Sequence, residues 1–153
     1  MIKIYKTKYC KEMFKLFYET VHTINSSHYS KKQLSVWAKD SIDFDNWDNK
    51  FKNSYTIIYE KNNIILGFSN VDNKGYIDMF YVHKNFQNIK IGKSLLLEIE
   101  KYAKDNKISI LHTYSSITAK IFFERNGFIL KNKNTVIRDN ISLENYYMHK
   151  VLY

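Results

Sequence analysis

At 153 residues, 44% hydrophobic and 25% charged, the chain can bury a sizeable core without a metal, and its single cysteine, Cys10, excludes an internal disulfide. No apolar run approaches the ~18 residues of a membrane span, and the opening Met1-Ile-Lys-Ile-Tyr5 lacks the apolar stretch of a signal peptide, so a soluble, cytoplasmic protein without a membrane partner is expected. The net charge of +9 favours polyanions non-specifically, yet the lysines are scattered and only Arg125 and Arg138 are arginines, so no specific nucleic-acid partner is expected.

In chain order, Ile2 to Tyr5 reads as a short strand, and Cys10, Met13, Phe14, Phe17 and Val21 then fall on one helical face. Ser30 and Gln33 form a capping box, with Tyr29 and Leu34 as its hydrophobic staple, so a second helix starts there and runs to about Ala38, carrying Trp37. Lys39 to Asn53 reads as an acidic, irregular segment anchored by Trp47 and Phe51. Strands follow at Tyr55 to Glu60, at Ile64 to Val71 after Lys61-Asn62-Asn63, and at Tyr76 to Val82 after the turn Asp72-Asn73-Lys74-Gly75.

Ile91, Leu95, Leu96, Ile99, Tyr102 and Ala103 next recur at helical spacing, opposite Lys93, Glu100, Lys101 and Lys104. A strand at Ile108 to Tyr114 leads to a short helix over 117–126, which Ser116 can cap and Gly127 can end in a left-handed residue. Two strands near Phe128 to Arg138 and Asn145 to Leu152 complete one domain, 1–153, with neither linker nor repeat.

The junction between the strand ending at Val82 and the helix beginning near Ile91 carries the functional signal. The first turn of a helix holds N–H groups without intrahelical partners and the positive end of the macrodipole, which suits a pyrophosphate. Gly92-Lys93-Ser94 copies the end of a P-loop, but that motif needs a glycine where Gln87 stands, and the strand Ile108 to Tyr114 lacks an aspartate for magnesium. An ordinary strand-loop-helix crossover with an incidental glycine remains the ligand-free alternative.

Tyr81-Val82-His83-Lys84-Asn85-Phe86 followed by Gln87-Asn88-Ile89-Lys90-Ile91-Gly92 resembles motif A of the GNAT N-acetyltransferases, Gln/Arg-x-x-Gly-x-Gly/Ala after such a strand. Gln87 and Gly92 match, while Lys90 stands at the first glycine, where its side chain must point away from a pyrophosphate or add its ammonium to it. Ser116-Ile-Thr-Ala-Lys-Ile-Phe-Phe-Glu-Arg-Asn-Gly-Phe128 resembles the later signature Ala-x-x-Phe-Tyr-Glu-Lys-x-Gly-Phe, about 35 residues after motif A. The stretch Tyr29 to Ala38 is similar to a bacterial GNAT subfamily of poorly defined substrate.

The resemblance implies an α/β (α+β) fold: a mixed, mostly antiparallel sheet of about seven strands, flanked by about four helices and splayed between strands 4 and 5. It implies acetyl transfer from acetyl-CoA to a primary amine, with no metal. Tyr81, Val82, Gln87, Asn88, Ile89, Lys90, Ile91, Gly92, Lys93, Ser94, Ser116, Phe122 and Phe123 would then meet the coenzyme, and an N–H near Val82 would face the thioester oxygen. Phe123 takes the place of the tyrosine that in many members protonates the departing thiolate, so Tyr114 or unassisted departure must substitute.

An ammonium acceptor must lose a proton before it attacks, and Asp78 is the first candidate for the base. Tyr76, Asp78, Phe80 and Val82 would share one strand face, which sets the carboxylate among apolar neighbours that raise its pKa. His83 and His112 stand in reserve, and His22 lies with His28 near the region that shapes the acceptor pocket in the family. His28, Tyr29 and Trp37 are the expected acceptor contacts, and an aromatic wall could hold a cationic or planar amine.

The expected acceptor is a small-molecule amine. A protein or aminoacyl-tRNA acceptor, or a coenzyme-binding regulatory module without turnover, is the alternative. Either a monomer or a homodimer is expected, the latter through the tyrosine-rich C-terminal strand if its edge is exposed.

Overall fold

A computed structural model describes residues 1–152. One seven-stranded sheet, ordered β1-β2-β3-β4-β5-β7-β6, separates two helical layers. The strands are β1 (Ile2–Ile4), β2 (Tyr55–Lys61), β3 (Ile64–Val71), β4 (Tyr76–Val82), β5 (Ile110–Ser115), β6 (Ile129–Arg138) and β7 (Ile141–Val151). All neighbours pair antiparallel except β4 and β5. The helices are α1 (Cys10–Ile24), α2 (Lys31–Trp37), α3 (Phe44–Lys52), α4 (Ile91–Asp105) and α5 (Lys120–Arg125).

Adjacent residues of the central strands serve opposite cores, as the two-residue side-chain period demands. Ile58, Ile65 and Phe68 meet Met13, Phe17, Leu34, Trp47 and Phe51 on the α1–α2–α3 side. Ile57, Leu66 and Ile77 meet Leu95, Leu96 and Ile99 of α4 and Phe123 of α5 on the other. The capping box of α2 is complete, with Gln33 N–H donating to Ser30 Oγ and Ser30 N–H to Gln33 Oε1.

Three expectations require correction. The stretch from Lys39 to Asn53 is not irregular: the Asp43 carboxylate accepts from Asn46 N–H at 3.2 Å and starts α3, so the sheet carries five helices. Trp47 and Phe51, four residues apart, then fall on the face that α3 buries. The tyrosine-rich β7 is not an edge: it starts at Ile141, after a turn in which Asp139 and Asn140 have φ of 48° and 62°, and it is paired on both sides. The exposed edge on that flank belongs to β6.

The third correction concerns β4. Asn70 of β3 pairs with Met79 and Val71 with Ile77, so Asp78 is the extra residue of a bulge. Alternation resumes out of phase beyond it. Phe80 and Val82 join Ile77 on the α4 side, while Tyr76, Asp78, Met79 and Tyr81 face the opposite side. Asp78 therefore does not share a face with Phe80 and Val82 or sit in an apolar nest; its side chain is 34% exposed.

Only Tyr76–His112 and Ile77–Thr113 pair between β4 and β5 before the strands part. Gly75, with φ of +86°, makes that short contact possible, because its carbonyl accepts from His112 N–H at 2.9 Å. A Cβ there would lie 2.1 Å from the Ile110 carbonyl oxygen, a backbone atom with no freedom to retreat. Gly75→Ala is therefore expected to lower stability in urea unfolding by about 3 kcal/mol, combining left-handed strain with a backbone clash. Gly92→Ala, whose Cβ would meet the movable Phe122 ring at 3.0 Å, should lose no more than about 1 kcal/mol; equal losses would contradict this account.

Candidate active site

The chain turns from β4 into α4 through a loop that side chains tie back to the strand. Gln87 Nε2 donates to the carbonyls of Val82 at 2.7 Å and His83 at 3.3 Å, and Thr20 Oγ1 of α1 also donates to Val82 O. Asn88 and Lys90 both have positive φ, 61° and 72°. Position 90 thus has a conformation that glycine adopts freely and that costs a lysine about 1 kcal/mol. The Lys90 side chain is exposed, and neither it nor Lys93 meets an acidic partner among the described residues.

No side chain caps α4, and Ser94 N–H and Oγ both turn to the Lys90 carbonyl. The N–H groups of Gly92 and Lys93 have no protein acceptor among the described residues. Two lysines without an ion-pair partner and two N–H groups without an acceptor therefore belong to the positive start of α4, an arrangement that fits a pyrophosphate. Asn88 and Ile89 project into solvent on the same loop, while Ile91 is buried. Gly92 has a packing reason as well: the Phe122 ring occupies the space a side chain would need.

Where β4 and β5 part, one edge of β4 is left without a strand partner. His83 N–H donates to Leu66 O on β3, so by alternation the N–H of Val82 points to the opposite side, towards the gap. The gap is flanked by Phe122, half-buried against Phe80 at 5.3 Å. Phe123 is 2% exposed and lies in the core against Phe80 and Phe128. Ser116 Oγ accepts from Ala119 N–H at 3.0 Å and shapes the turn into α5.

On the α1–α2–α3 side a cleft of ≈ 740 Å³ opens between α2, α3, β4 and the β6–β7 hairpin. Asp78, Tyr114, Tyr29, Trp37, Tyr81 and Ser116 all line it. Of the reserve bases, His112 does not line it; His22, near the expected acceptor region, has its Nε2 2.8 Å from Ala38 O. His28 lies outside, its Nδ1 2.9 Å from Thr118 Oγ1, so it is a brace for the α5 turn rather than part of the wall. Tyr29 lends its ring to the wall, 5.1 Å from Trp37, but its hydroxyl is committed, donating to Glu144 O and accepting from Ile117 N–H.

The Asp78 carboxylate lies 3.3 Å from the Lys50 ammonium of α3. Tyr114, 47% exposed, presents its phenol to the cleft. Burial, reinforced by the Asp78 charge, pushes the Tyr76 phenol up to about 12. Burial likewise raises Tyr81, against the opposing effect of the Trp37 Nε1 hydrogen bond at 3.2 Å. His83 is held below its ordinary value by burial, and its Nδ1 accepts from Asn85 N–H, so its ring is neutral near pH 7. Lys50, Tyr76 and Arg138 are cleft residues that sequence reasoning missed: Lys50 because its segment reads as irregular rather than as α3, and Tyr76 and Arg138 because only the pairing of β4 and β6 with their neighbours decides which face they take.

A family model of the acetyltransferase (GNAT) domain matches residues 25–150. The uncharacterized N-acetyltransferase YafP of Escherichia coli strain K12 is 30% identical over 148 residues, 96% of this chain and 93% of that protein. Among solved structures, a GCN5-related N-acetyltransferase from Rhodopseudomonas palustris superposes with a TM-score of 0.95 at 26% identity, covering 99% of this chain and 95% of that one. The PaiA N-acetyltransferase of Thermoplasma acidophilum, solved with coenzyme A, gives a TM-score of 0.82 at 19% identity over 99% of each chain.

Family model and relatives together define an acyltransferase. The chain belongs to the GNAT acetyltransferase family, and it is an N-acetyltransferase of that family. Among the described residues no helix is long and apolar enough to cross a membrane, and no group of three or more His, Cys, Asp or Glu side chains could hold a metal ion.

The buried phenols give a pH test. Tyr5, Tyr55, Tyr76 and Tyr81 are all raised, Tyr55 and Tyr76 to about 12, so each binds its proton more tightly folded than unfolded. Their contribution to stability is fully present below the unfolded value near 10.0 and falls away as pH rises towards 12. Absorbance titration at pH 11 should leave these four protonated in the native protein, and Tyr76→Phe should flatten the alkaline loss of stability; an unchanged slope would contradict the assignment.

Proposed function

We propose that the protein transfers the acetyl group of acetyl-CoA to the primary amine of a small molecule held in the aromatic cleft, by direct attack of the amine on the thioester. One observation carries this reading: the bulge in β4 turns Asp78 into the cleft beside the place where β4 and β5 separate.

The start of α4, with Lys90, Lys93 and the N–H groups of Gly92 and Lys93, fits the pyrophosphate of the donor, and the gap beside β4 fits its pantetheine arm. Bound there, acetyl-CoA supplies an activated acyl carbon. The Val82 N–H, directed into the same gap, donates to the oxygen on which charge develops. Asp78 accepts the proton that the ammonium must lose, directly or through water, after the incoming amine displaces Lys50 from the carboxylate. As the C–N bond forms and the C–S bond breaks, the nitrogen gives up its second proton to water, and Tyr114, a phenol lining the cleft, returns a proton to the thiolate, whose conjugate thiol has a pKa near ~8.5, and is itself reprotonated from solvent.

Acetyl-CoA at 100 times its dissociation constant should raise folding stability by about 2.7 kcal/mol. Asp78→Asn should leave that shift intact while lowering kcat/KM for thiol release by about 100-fold. Undiminished turnover in this variant would remove Asp78 from the mechanism. Lys90→Gly tests the departure from the family motif. If the ammonium reaches the pyrophosphate, the variant should bind acetyl-CoA about fivefold more weakly at low salt, with the difference shrinking at high ionic strength. Equal affinity at low salt would mean that Lys90 points away.

A further inference from the structure

The cleft holds six ionised side chains, and only one of them lacks a partner. Lys39 pairs with Asp139 at 3.1 Å, Lys50 with Asp78 at 3.3 Å, and Glu144 with Lys133 of the neighbouring strand at 3.1 Å. Arg138, the remaining one, has no carboxylate within 4.0 Å among the described residues. Because Glu144 is taken by Lys133 from outside the cleft, Arg138 is left as the cleft cation without a carboxylate partner, and it is the residue type best shaped for bidentate carboxylate recognition.

Its placement is built rather than accidental. Asn134, Val136 and Arg138 line the cleft at two-residue spacing, so they share the inward face of β6. The hairpin that carries them is fastened to α2 and to the chain on either side of it at three points. Tyr29 Oη donates to Glu144 O at 2.7 Å, Gln33 Nε2 donates to Ser142 O at 2.9 Å, and Lys39 reaches Asp139 across the rim. Arg138 immediately precedes the tight Asp139-Asn140 turn and so stands at the cleft mouth, while Asp78 lies beside the gap in the sheet.

We infer that the acceptor is a primary amine bearing a carboxylate on the far side of an apolar or aromatic body, with the amine at Asp78 and the carboxylate at Arg138. This rests on the acyl-transfer reading of the same cleft. Tyr76, Tyr81, Trp37 and Tyr114 supply the wall for the body between the two charges. The phenols of Tyr76 and Tyr81 sense both ends, since the charge of Asp78 raises them and that of Arg138 lowers them. Polyamines and other multiply cationic amines are rejected at the Arg138 end by like-charge repulsion, so selectivity has a repulsive component as well as an attractive one.

Matched pairs differing only in the remote acid test this: 6-aminohexanoate against 6-aminohexanamide, and 4-(aminomethyl)benzoate against 4-(aminomethyl)benzamide, each assayed for thiol release with acetyl-CoA. In at least one pair the carboxylate should be preferred by about 10-fold or more in kcat/KM, the scale of a hydrogen bond to a charged group. Arg138→Gln should cancel the preference mainly through KM, and Arg138→Lys should restore part of it. Amides that match or exceed the acids in both pairs, or an Arg138→Gln loss equal for acid and amide, overturn the inference.

Calorimetry with the N-acetylated acids in the presence of CoA supplies a readout independent of turnover. Arg138-dependent binding of these products with no thiol release from any amine would sink the transfer reading and keep the carboxylate subsite. Turnover confined to neutral or cationic amines would do the reverse, and absence of both would end both. Arg138→Gln should also leave the acetyl-CoA dissociation constant within about twofold, since a surface charge remote from a ligand is largely screened; a tenfold weakening would assign Arg138 to the coenzyme phosphates and overturn the inference.

Discussion

The side chain of Asn70 does what a strand neighbour would otherwise do, and the arrangement of the site follows from it. Its Oδ1 accepts from Met79 N–H at 2.9 Å, while Ser69 Oγ donates to Met79 O at 2.8 Å, so the bulge in β4 keeps its backbone groups satisfied in a buried setting. Asn70 is itself held by Ser54, to which its Nδ2 donates at 3.1 Å. With these contacts the extra residue, Asp78, can leave the sheet towards the cleft while Ile77 and Phe80 on either side of it stay in the other core.

The same irregularity allows β4 to diverge from β5. Before the bulge, Gly75 and Thr113 bind the two strands closely, the latter through Thr113 Oγ1 to Ile77 O at 2.9 Å. After it, β4 has turned its free edge to the gap, and the Phe80–Phe122 contact props α5 against that gap. Sheet edges are ordinarily a liability because their N–H groups invite another strand. Here the edge is internal, opening only where β4 leaves β5 after Ile77–Thr113.

What the sequence made legible depended on local physics. The capping box at Ser30, the left-handed stop at Gly127, the helical stripe of α4 and the two family signatures each reside in a few adjacent residues, and each is found in the structure. The Asp43 cap was equally local, but a run of polar residues with a single aromatic per turn hid α3 until packing of Trp47 and Phe51 against α1 and the sheet made it worth forming. The bulge was not legible, because a run such as Tyr-Ile-Asp-Met-Phe-Tyr-Val reads as plain alternation; only the register against Asn70 and Val71 reveals the slip. Arg138 was invisible for the same reason, its face being decided by β7 and its neighbours by the hairpin's attachment to α2.

Lys90 shows how a departure from a motif can be compatible with the motif's purpose. The backbone conformation at that position favours glycine, and the lysine adopts the same positive φ at a small energetic cost while the N–H groups of Gly92 and Lys93 stay without a protein acceptor at the helix start. The conformation that admits an anion is therefore retained, and a cation is added next to it. On a chain of net charge +9 that addition also shifts the balance between the two halves of the site. At the start of α4, Lys90 and Lys93 have no acidic partner among the described residues, whereas the cleft holds its charges in pairs and leaves only Arg138 without one. On the proposed reading, the unpaired lysines at the helix start would favour an anionic coenzyme, and the cleft would discriminate its acceptor at short range, by shape and by the one cation it leaves without a partner.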